Sequence, residues 1–313
     1  MRFYSADELR TAIDLDDLIA ALEAGHGGAR PEIADALIGP LQSRYLVRSA
    51  HDGLALAGSK LITIVPENPA KRGLAAVQAV IVLFDCETGV PIAALDATEL
   101  TYWKTAADSA LGSRILSRPD AKSLLIVGAG GLAPWLARGH LAARPEITEV
   151  SIWNRSRDKT EALAAQLCGE GMPARAAFDL EAAARQADIV STATMATDPI
   201  LKGAWLKPGT HVDLVGGYAP DTREADDDVM RRGALFVDSR QSALDGVGDV
   251  LAPIANGVIS EKDIRGDLFD LVGNMAQGRD NAEEITVYKN AGGAHLDLMV
   301  AAALVRRLEA RGA

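Results

Sequence analysis

A glycine-rich turn after a short apolar run is the part of this sequence whose residue types and spacing point most directly to chemistry. Residues 124–127 form a run too short for a helix and apolar throughout, as in a parallel strand buried on both faces. Gly128 permits a tight turn, Gly130 lets the backbone approach a pyrophosphate, and Ala133 lets the next helix lie close to the strand. A helix N-terminus at this point favours an anion. The pattern predicts a dinucleotide-binding turn, although a plain strand-to-helix connection also fits it.

The residues after the next apolar segment bear on which dinucleotide this turn would hold. Residues 149–153 read as a second strand, and its end is where an adenosine ribose lies in such domains. A cofactor with a free 2′-hydroxyl usually meets Asp or Glu there, but this chain has Asn154, Arg155 and Ser156. A guanidinium and a hydroxyl suit a 2′-phosphate, so NADP(H) is preferred and NAD(H) stays possible. The alternative for Arg155 is a solvated surface arginine.

Composition limits the classes of partner and compartment. The chain has 313 residues, enough for two domains, and 48% of them are hydrophobic. A net charge of −11 argues against nucleic acid or an anionic membrane as partner, because both require a basic surface. Cys86 and Cys168 lie far apart without metal-ligand spacing, so we expect reduced thiols and no metal. Acidic residues near the start exclude an apolar signal segment, and no run approaches the length of a membrane span, so a cytoplasmic protein is expected.

The elements that must position these residues fall into two patterns. Ser5 and Glu8 predict a capped amphipathic helix that runs to about Gly25, followed by a loop that contains Pro31 and Pro40. Strands are expected at 44–48, 54–64 and 76–84, and the pattern becomes helical from about residue 98. Strands and helices then alternate, with strands at 123–127, 149–153, 188–193, 211–215 and 234–238 and helices near 132–143, 157–169 and 223–232.

This alternation predicts an α/β fold with a Rossmann-type, doubly wound parallel sheet over residues 119–290. A last amphipathic helix, 293–310, lies outside the sheet pattern and is expected to pack back on the N-terminal part. The first domain is therefore expected to be a discontinuous α+β domain, made of residues 1–118 and 291–313.

Several segments resemble the ornithine cyclodeaminase and mu-crystallin family. They occur in the family's order and read LFDCETGVPIAALDATELT, KTAADSALGSRIL, LLIVGAG, WNRS, GTHVDLVGGY and GRDNAEEITVYKNAGG. The resemblance implies a homodimer whose first domain supplies the dimer interface and the substrate pocket, while the Rossmann domain binds a nicotinamide cofactor. Members include ornithine cyclodeaminases, alanine dehydrogenases, reductases of cyclic ketimines and a vertebrate lens protein that binds NADPH and thyroid hormone.

The resemblance also suggests how a substrate carboxylate would be held. The matching residues are Arg44, Lys60 and Lys104, with Arg48 as the alternative to Arg44. Lys104 stands where the family has an arginine, so it keeps the charge but loses the planar fork that makes two parallel hydrogen bonds to a carboxylate. A lysine in a partly apolar pocket titrates more readily than an arginine, so it is also a candidate proton donor.

A second departure bears on the reaction. Cyclodeaminases of the family have an Asp directly after the VGG or VGA turn, and this chain has Tyr218, which we list as a substrate-binding candidate. Reduction of a cyclic imine needs only a held carboxylate, one proton and one hydride. We therefore favour an NAD(P)H-dependent reductase of a cyclic imino acid such as 1-pyrroline-2-carboxylate, giving L-proline. Ornithine cyclodeaminase, an alanine dehydrogenase-type enzyme and a non-enzymatic NADPH-dependent binding protein resembling mu-crystallin are the alternatives.

The remaining candidates belong to the cofactor site or have simple structural explanations. Asp226, Asp227 and Asp228 read as the solvated first turn of a helix, and the five histidines have no motif spacing and receive no role. Asp297 matches a recurrent family acid but equally fits a charge on a helix face. The predicted cofactor-binding residues are Thr105, Gly128, Ala129, Gly130, Gly131, Leu132, Asn154, Arg155, Ser156, Thr192, Ala193, Thr194 and Val215.

Overall fold

The computed structural model describes residues 1–12, 14–40, 42–217 and 219–312, and it divides the chain into two compact units. The first unit is Met1–Lys104 with Gly293–Ala313, and the second is Thr105–Gly292. The division falls inside the helix Leu100–Leu116, whereas the sequence analysis assigned that whole helix to the first domain.

The first unit is built on a mixed sheet of six strands. Its strands are β1 Arg2–Tyr4, β2 Glu32–Ile38, β3 Arg44–His51, β4 Leu56–Ile64, β5 Val77–Asp85 and β6 Pro91–Asp96. Its helices are α1 Ala6–Ala12, α2 Leu15–His26, α3 Asn68–Arg72, the start of α4 Leu100–Leu116, and the C-terminal helix Ala294–Gly312. The strand order is β1-β6-β5-β4-β3-β2, with only β1 and β6 parallel among these pairs. The C-terminal helix packs against β2, β3, β4 and β5.

Two expectations for the N-terminal segment were wrong. The helix predicted from Ser5 to Gly25 is two helices, because Asp14 caps the second by accepting the Asp17 N–H at 2.9 Å. The predicted loop between Pro31 and Pro40 contains the edge strand β2, which pairs with β3 along its whole length. Most of β2 is exposed, so its sequence lacks the alternation of apolar and polar residues that marks a half-buried strand.

The second unit contains a parallel sheet of eight strands. They are β7 Ser123–Val127, β8 Glu149–Trp153, β9 Ala174–Ala176, β10 Ile189–Thr192, β11 His211–Leu214, β12 Ala234–Val237, β13 Ile264–Asp267 and β14 Thr286–Lys289. The helices are α5 Ala133–Ala143, α6 Arg157–Gly169, α7 Leu180–Gln186, α8 Asp227–Arg232, α9 Arg240–Ala243, α10 Gly248–Ala255 and α11 Leu268–Val272. The strand order β13-β12-β14-β11-β10-β7-β8-β9 is that of a doubly wound sheet, which confirms the predicted fold class.

Strand β7 has the burial on both faces that its uniformly apolar sequence predicted. Leu125 and Val127 belong to one hydrophobic cluster, while Leu124 and Ile126 belong to another. Because side chains alternate across a strand, the two clusters cover opposite faces of the sheet.

Other elements of this unit differ from expectation. The helix predicted near 223–232 begins only at Asp227, because the Asp226 side chain caps it by accepting the N–H groups of Asp228 and Val229 at 3.1 Å each. Strands β9, β13 and β14, of three or four residues each, were missed.

Among the described residues, no helix combines the length and apolarity needed to cross a bilayer. The expected cytoplasmic location stays a prediction.

Candidate active site

Two lysines and one carboxylate meet in the interior of the first unit. Lys60 Nζ and Lys104 Nζ each lie 3.4 Å from Asp297 Oδ1, and Lys60 Nζ also donates to Thr101 Oγ1 at 2.6 Å. The side chains of Lys60, Lys104 and Asp297 are 3–4% exposed. Lysine and aspartate are almost never this buried unless they are paired. We refer to Lys60, Lys104 and Asp297 as the lysine cluster.

The secondary structure explains why these residues meet. Lys60 lies on β4 between Gly58 and Ile62, which are buried with it on the face that the C-terminal helix covers. Asp297 is in the first turn of that helix. Thr101 and Lys104 are three residues apart on α4, a spacing that places them on one helix face. Thr101 was not predicted as a site residue, although this spacing from Lys104 was a usable signal.

The cluster carries an excess of positive charge. Burial lowers the pKa of Lys60 to about 8; the Asp297 carboxylate opposes this shift, and the charges of Lys104 and Arg48 reinforce it. Burial alone would raise the pKa of Asp297, but the Lys104 and Lys60 charges outweigh it and hold that pKa below its ordinary value. At neutral pH the cluster is therefore two ammonium groups around one carboxylate, which favours an anionic ligand.

The structure places Arg48, rather than Arg44, beside Lys60. Arg48 on β3 pairs directly with Lys60 on β4, whereas Arg44 pairs with Ile64 at the far end of the strand. Arg48 also forms an ion pair with Asp35 at 2.8 Å, and its side chain is 20% exposed. The alternative arginine of the sequence analysis is thus the one near the lysine cluster. Tyr218, the other substrate-binding candidate, lies outside the described residues.

The glycine-rich turn of the second unit has the geometry that its sequence predicted. Gly128 has φ +120°, and a Cβ there would lie 2.5 Å from the Ala193 carbonyl oxygen, so only glycine fits. A Cβ at Gly130 would meet nothing within 4 Å, so the backbone there faces open space. Helix α5 follows directly, and its N-cap residue, Leu132, makes no side-chain cap. Open space at an N-terminus without a side-chain cap fits the phosphates of a dinucleotide.

The loop after β8 presents the groups that were predicted for the adenosine ribose. Arg155 is exposed, and Asn154 Nδ2 donates to the Ser156 carbonyl at 3.3 Å. The next arginine, Arg157, stacks its guanidinium 4.4 Å from the ring centre of Phe178. The exposed Arg155 side chain is available to a phosphate but has no contact that assigns it one.

The carboxyl ends of β7, β10 and β11 bring further predicted cofactor residues to one edge of the sheet. The Ala193 N–H donates to the Val127 carbonyl at 2.9 Å, and the Val215 N–H donates to the Thr192 carbonyl at 2.9 Å. Thr105 is at the start of the unit, where its carbonyl accepts from Asn290 Nδ2 at 3.0 Å. Ligands of doubly wound sheets bind at this edge.

A separate group in the first unit combines a histidine, an aspartate and a cysteine. His51, Asp52 and Cys86 are the one set of potential metal ligands found among the described residues, with His51 Nε2 3.3 Å from Cys86 Sγ. His51 Nδ1 accepts the Gly53 N–H at 2.9 Å, which leaves the ring proton on Nε2. A protonated Nε2 has no lone pair for a metal, so this group is a hydrogen-bonded connection between two hairpin ends.

Comparison with known proteins identifies one matching family model and several similar proteins. The model of the ornithine cyclodeaminase/mu-crystallin family matches residues 42–311. The chain is 45% identical over 306 residues to a Delta(1)-pyrroline-2-carboxylate reductase of Paracoccus denitrificans, covering 97% of this chain and 96% of that relative.

Two solved structures are similar over nearly the whole chain. Thermococcus litoralis Delta(1)-pyrroline-2-carboxylate reductase in complex with NADH and L-proline has a TM-score of 0.92 at 28% identity, covering 100% of this chain and 98% of that one. The iminosuccinate reductase of Paracoccus denitrificans in complex with NAD+ has a TM-score of 0.91 at 26% identity, covering 99% and 97%.

Proposed function

Since the chain belongs to the ornithine cyclodeaminase/mu-crystallin family, we propose that it is a nicotinamide-dependent reductase of a cyclic imino acid, with 1-pyrroline-2-carboxylate as substrate and L-proline as product. The observation that carries this proposal is the lysine cluster. A cyclic imino acid has one carboxylate, which needs cations, and one imine nitrogen, which needs a proton donor. The cluster offers both in a buried setting.

The roles of the residues follow from charge and reach. Lys104 and Arg48 supply positive charge for the substrate carboxylate, and Lys60, the lysine with the lowered pKa, donates a proton to the imine nitrogen. Asp297 keeps both ammonium groups in place and limits their mutual repulsion. Arg44 is less suited to the carboxylate because the strand register places it opposite Ile64, four residues along β4 from Lys60.

The cofactor belongs to the second unit in this proposal. When bound, the nicotinamide supplies the hydride that the imine carbon receives. Gly128, Ala129, Gly130, Gly131 and Leu132 would hold the pyrophosphate, and the loops after β10 and β11 would hold the other half. The structures of relatives with bound NADH and NAD+ support a nicotinamide cofactor, and NADP(H) preference is our inference from the residues after β8.

We expect Arg155→Glu to raise the KM for NADPH about 10- to 100-fold, because a charge-assisted hydrogen bond to the 2′-phosphate is replaced by repulsion. The KM for NADH should change less than threefold. Initial rates at varied cofactor concentration measure both constants. Arg185→Gln, at another exposed arginine of the same unit, is the control. Equal changes for the two cofactors would contradict a phosphate contact.

We expect kcat/KM for the imino acid to fall above about pH 8, because Lys60 must carry its proton to donate it and its pKa is about 8. Initial rates between pH 6 and 10 measure this limb. In Lys60→Arg, whose guanidinium neither loses nor donates its proton in this range, the rate should be lower and the limb should be absent from the profile of the residual rate. A limb that stays at the same pH in that variant would assign it to another group.

The face of the first sheet opposite the lysine cluster supports the homodimer that we propose. Alternation along β3, β4 and β5 places Val47, Leu61, Val82 and Phe84 on that face. These side chains are only half-buried, and Phe84 is 37% exposed. Partly exposed apolar side chains on one face of a sheet are typical of an interface between subunits. Light scattering after size exclusion should give twice the monomer mass.

The direct test of the proposed reaction is the absorbance at 340 nm in a mixture of the protein, 1-pyrroline-2-carboxylate and NADPH, with NADH in parallel. We expect stoichiometric loss of one of the reduced cofactors. A protein that consumes neither but releases ammonia from L-ornithine without net cofactor change would be a cyclodeaminase. The Tyr at position 218, where the resemblance implies Asp in cyclodeaminases, favours the reductase.

A further inference from the structure

One buried carboxylate in the second unit joins two loops at the carboxyl edge of the sheet. Glu224 Oε1 accepts the Thr194 N–H at 2.6 Å and the Thr194 hydroxyl at 2.8 Å. Glu224 Oε2 accepts the Gly216 N–H at 2.6 Å and the Thr192 hydroxyl at 2.7 Å. Four donors therefore converge on one side chain that is fully buried. The loop after β10 and the loop after β11 are held at a fixed spacing by this carboxylate.

The glycines of the VGG segment make room for this arrangement. A Cβ at Gly216 would lie 2.4 Å from Glu224 Cδ and 2.2 Å from the Thr194 carbonyl oxygen. Gly217 has φ +51°, and a Cβ there would lie 2.0 Å from Asp249 Oδ2. The loop after β11 is thus built around two carboxylates, and side chains larger than hydrogen would displace them.

Further charges hold Glu224 in place. Asp249 Oδ1 accepts the Glu224 N–H at 2.7 Å, and Asp249 Oδ2 lies 3.1 Å from Lys289 Nζ. Lys289 Nζ also donates to the Gly216 carbonyl at 2.5 Å. Gly216 is therefore held at both its N–H and its carbonyl, by Glu224 and by Lys289. Such a network specifies one conformation of the loop, because each member is satisfied by the others.

The position of these loops in the sheet indicates what they serve. In a doubly wound sheet a dinucleotide lies across the carboxyl edge, with its halves on either side of the first strand. Here β8 is on one side of β7, and β10 and β11 are on the other. Glu224 accepts hydrogen bonds from two of the predicted cofactor residues, Thr192 and Thr194. Two more, Ala193 and Val215, are sequence neighbours of its donors.

We propose that Glu224 is a positioning residue for the nicotinamide half of the cofactor, because its carboxylate sets the conformation of the loops after β10 and β11. This inference rests on the proposed function. Nothing in the sequence singled out Glu224, since a glutamate in the stretch TREADDD reads as a solvated charge.

A carboxylate is required here, and an amide does not replace it. Each carboxylate oxygen faces a backbone N–H, from Thr194 on one side and Gly216 on the other, and a backbone N–H cannot turn away. Glutamine must place its NH₂ group against one of these donors. A donor set against a donor leaves both unsatisfied in a buried site.

Protonation of Glu224 also places a donor against one of these N–H groups. Burial and the nearby Asp249 charge raise the pKa of Glu224 to about 7, while Lys289, the Thr192 hydroxyl and the Thr194 N–H oppose the shift. Asp249 on α10 and Lys289 on β14 are the charged groups that face it. As the pH falls through about 7, the carboxylate is protonated and one oxygen becomes a donor. The two loops then lose part of their common anchor.

The test compares the whole cofactor with its adenosine fragment. Fluorescence titration gives the Kd of the reduced dinucleotide that the parent protein binds, and competition gives the Kd of adenosine 2′,5′-bisphosphate or ADP. We expect Glu224→Gln to weaken dinucleotide binding about 10- to 100-fold, while fragment binding changes less than threefold. Glu283→Gln, at an exposed glutamate of the same unit, should change neither.

A second measurement follows the same two dissociation constants with pH, in the parent protein and in Glu224→Gln. In the parent protein the ratio of dinucleotide Kd to fragment Kd should rise as the pH falls from 8 to 6, because protonation of Glu224 weakens only the dinucleotide. Titration of a 2′-phosphate that both ligands carry cancels in this ratio. In Glu224→Gln the ratio should not change with pH. Equal losses for both ligands, or a ratio independent of pH in the parent, would overturn the role of Glu224. A parent protein that binds neither NADPH nor NADH would instead overturn the proposed function.

Discussion

Replacing Lys60 by methionine is expected to lower kcat/KM for 1-pyrroline-2-carboxylate about 1,000-fold, because the proton donor to the imine nitrogen is removed. Methionine preserves the length and apolar volume of the side chain. The Kd for the reduced cofactor, measured by fluorescence, should stay within about twofold, since Lys60 is not among the residues that we propose to hold the cofactor.

This variant should fold at least as well as the parent. Lys60 is 3% exposed and its pKa is lowered mainly by burial. The charged Lys60 therefore lowers the free energy of unfolding. Asp297 keeps Lys104 as a partner after the change. The midpoint of thermal unfolding is therefore expected to be equal or higher. Lys71→Met, at a lysine whose side chain is 60% exposed in the same unit, serves as the control for activity and stability. A loss of less than tenfold in kcat/KM would rule out Lys60 as the proton donor.

Asp297→Asn should produce the largest loss of stability among these variants, about 3–5 kcal/mol. It leaves two buried ammonium groups without their carboxylate, since Lys60 and Lys104 both lie 3.4 Å from Asp297 Oδ1. Chemical denaturation at constant pH measures this free energy of unfolding. Asp16→Asn, at an exposed aspartate of α2, should change it by less than about 0.5 kcal/mol.

The loss in Asp297→Asn should depend on pH with a defined sign. In the parent the pKa of Lys60 is about 8, below its ordinary 10.5, and the Asp297 charge opposes this lowering. Without Asp297 the folded-state pKa of Lys60 falls further, so the folded protein binds fewer protons than the unfolded chain over a wider range. Stability of the variant should therefore rise with pH from this further lowered pKa upward, whereas that of the parent rises only above about 8, so the loss should shrink as the pH approaches 8. Its activity limb should move to lower pH, because Lys60 loses its proton sooner. A pH-independent loss of stability would show that groups other than Asp297 neutralise the charges of the two lysines.

Local signals in the sequence were enough for the central part of the second unit. The apolar run 124–127 predicted a strand buried on both faces, and the structure shows that burial. The glycine at 128 predicted a tight turn, and its φ is positive as such a turn requires. The helix 157–169 has the predicted bounds. In contrast, β2 was missed because an exposed edge strand needs no alternation of apolar and polar residues, and its partner β3 defines it instead.

The parts of the site that could not be predicted depend on pairing between distant segments. The register of β3 against β4 decides between Arg44 and Arg48. It places Arg48 directly opposite Lys60, and Arg44 lies four residues further along β3. Glu224 is recognisable only when the loops after β10 and β11 are seen to donate to it. Lys60 and Asp297 are 237 residues apart in sequence, and their contact requires the C-terminal helix to return to the first sheet.

The most direct measurement follows the hydride itself, with reduced cofactor deuterated at the transferable C4 position, 1-pyrroline-2-carboxylate and the purified protein. We predict one deuterium at the α-carbon of each L-proline formed, one cofactor oxidised per proline, and labelling that is about 1,000-fold slower with Lys60→Met. Proline without the label, or ammonia release from L-ornithine with no net oxidation of cofactor, would contradict a reductase whose proton donor is Lys60.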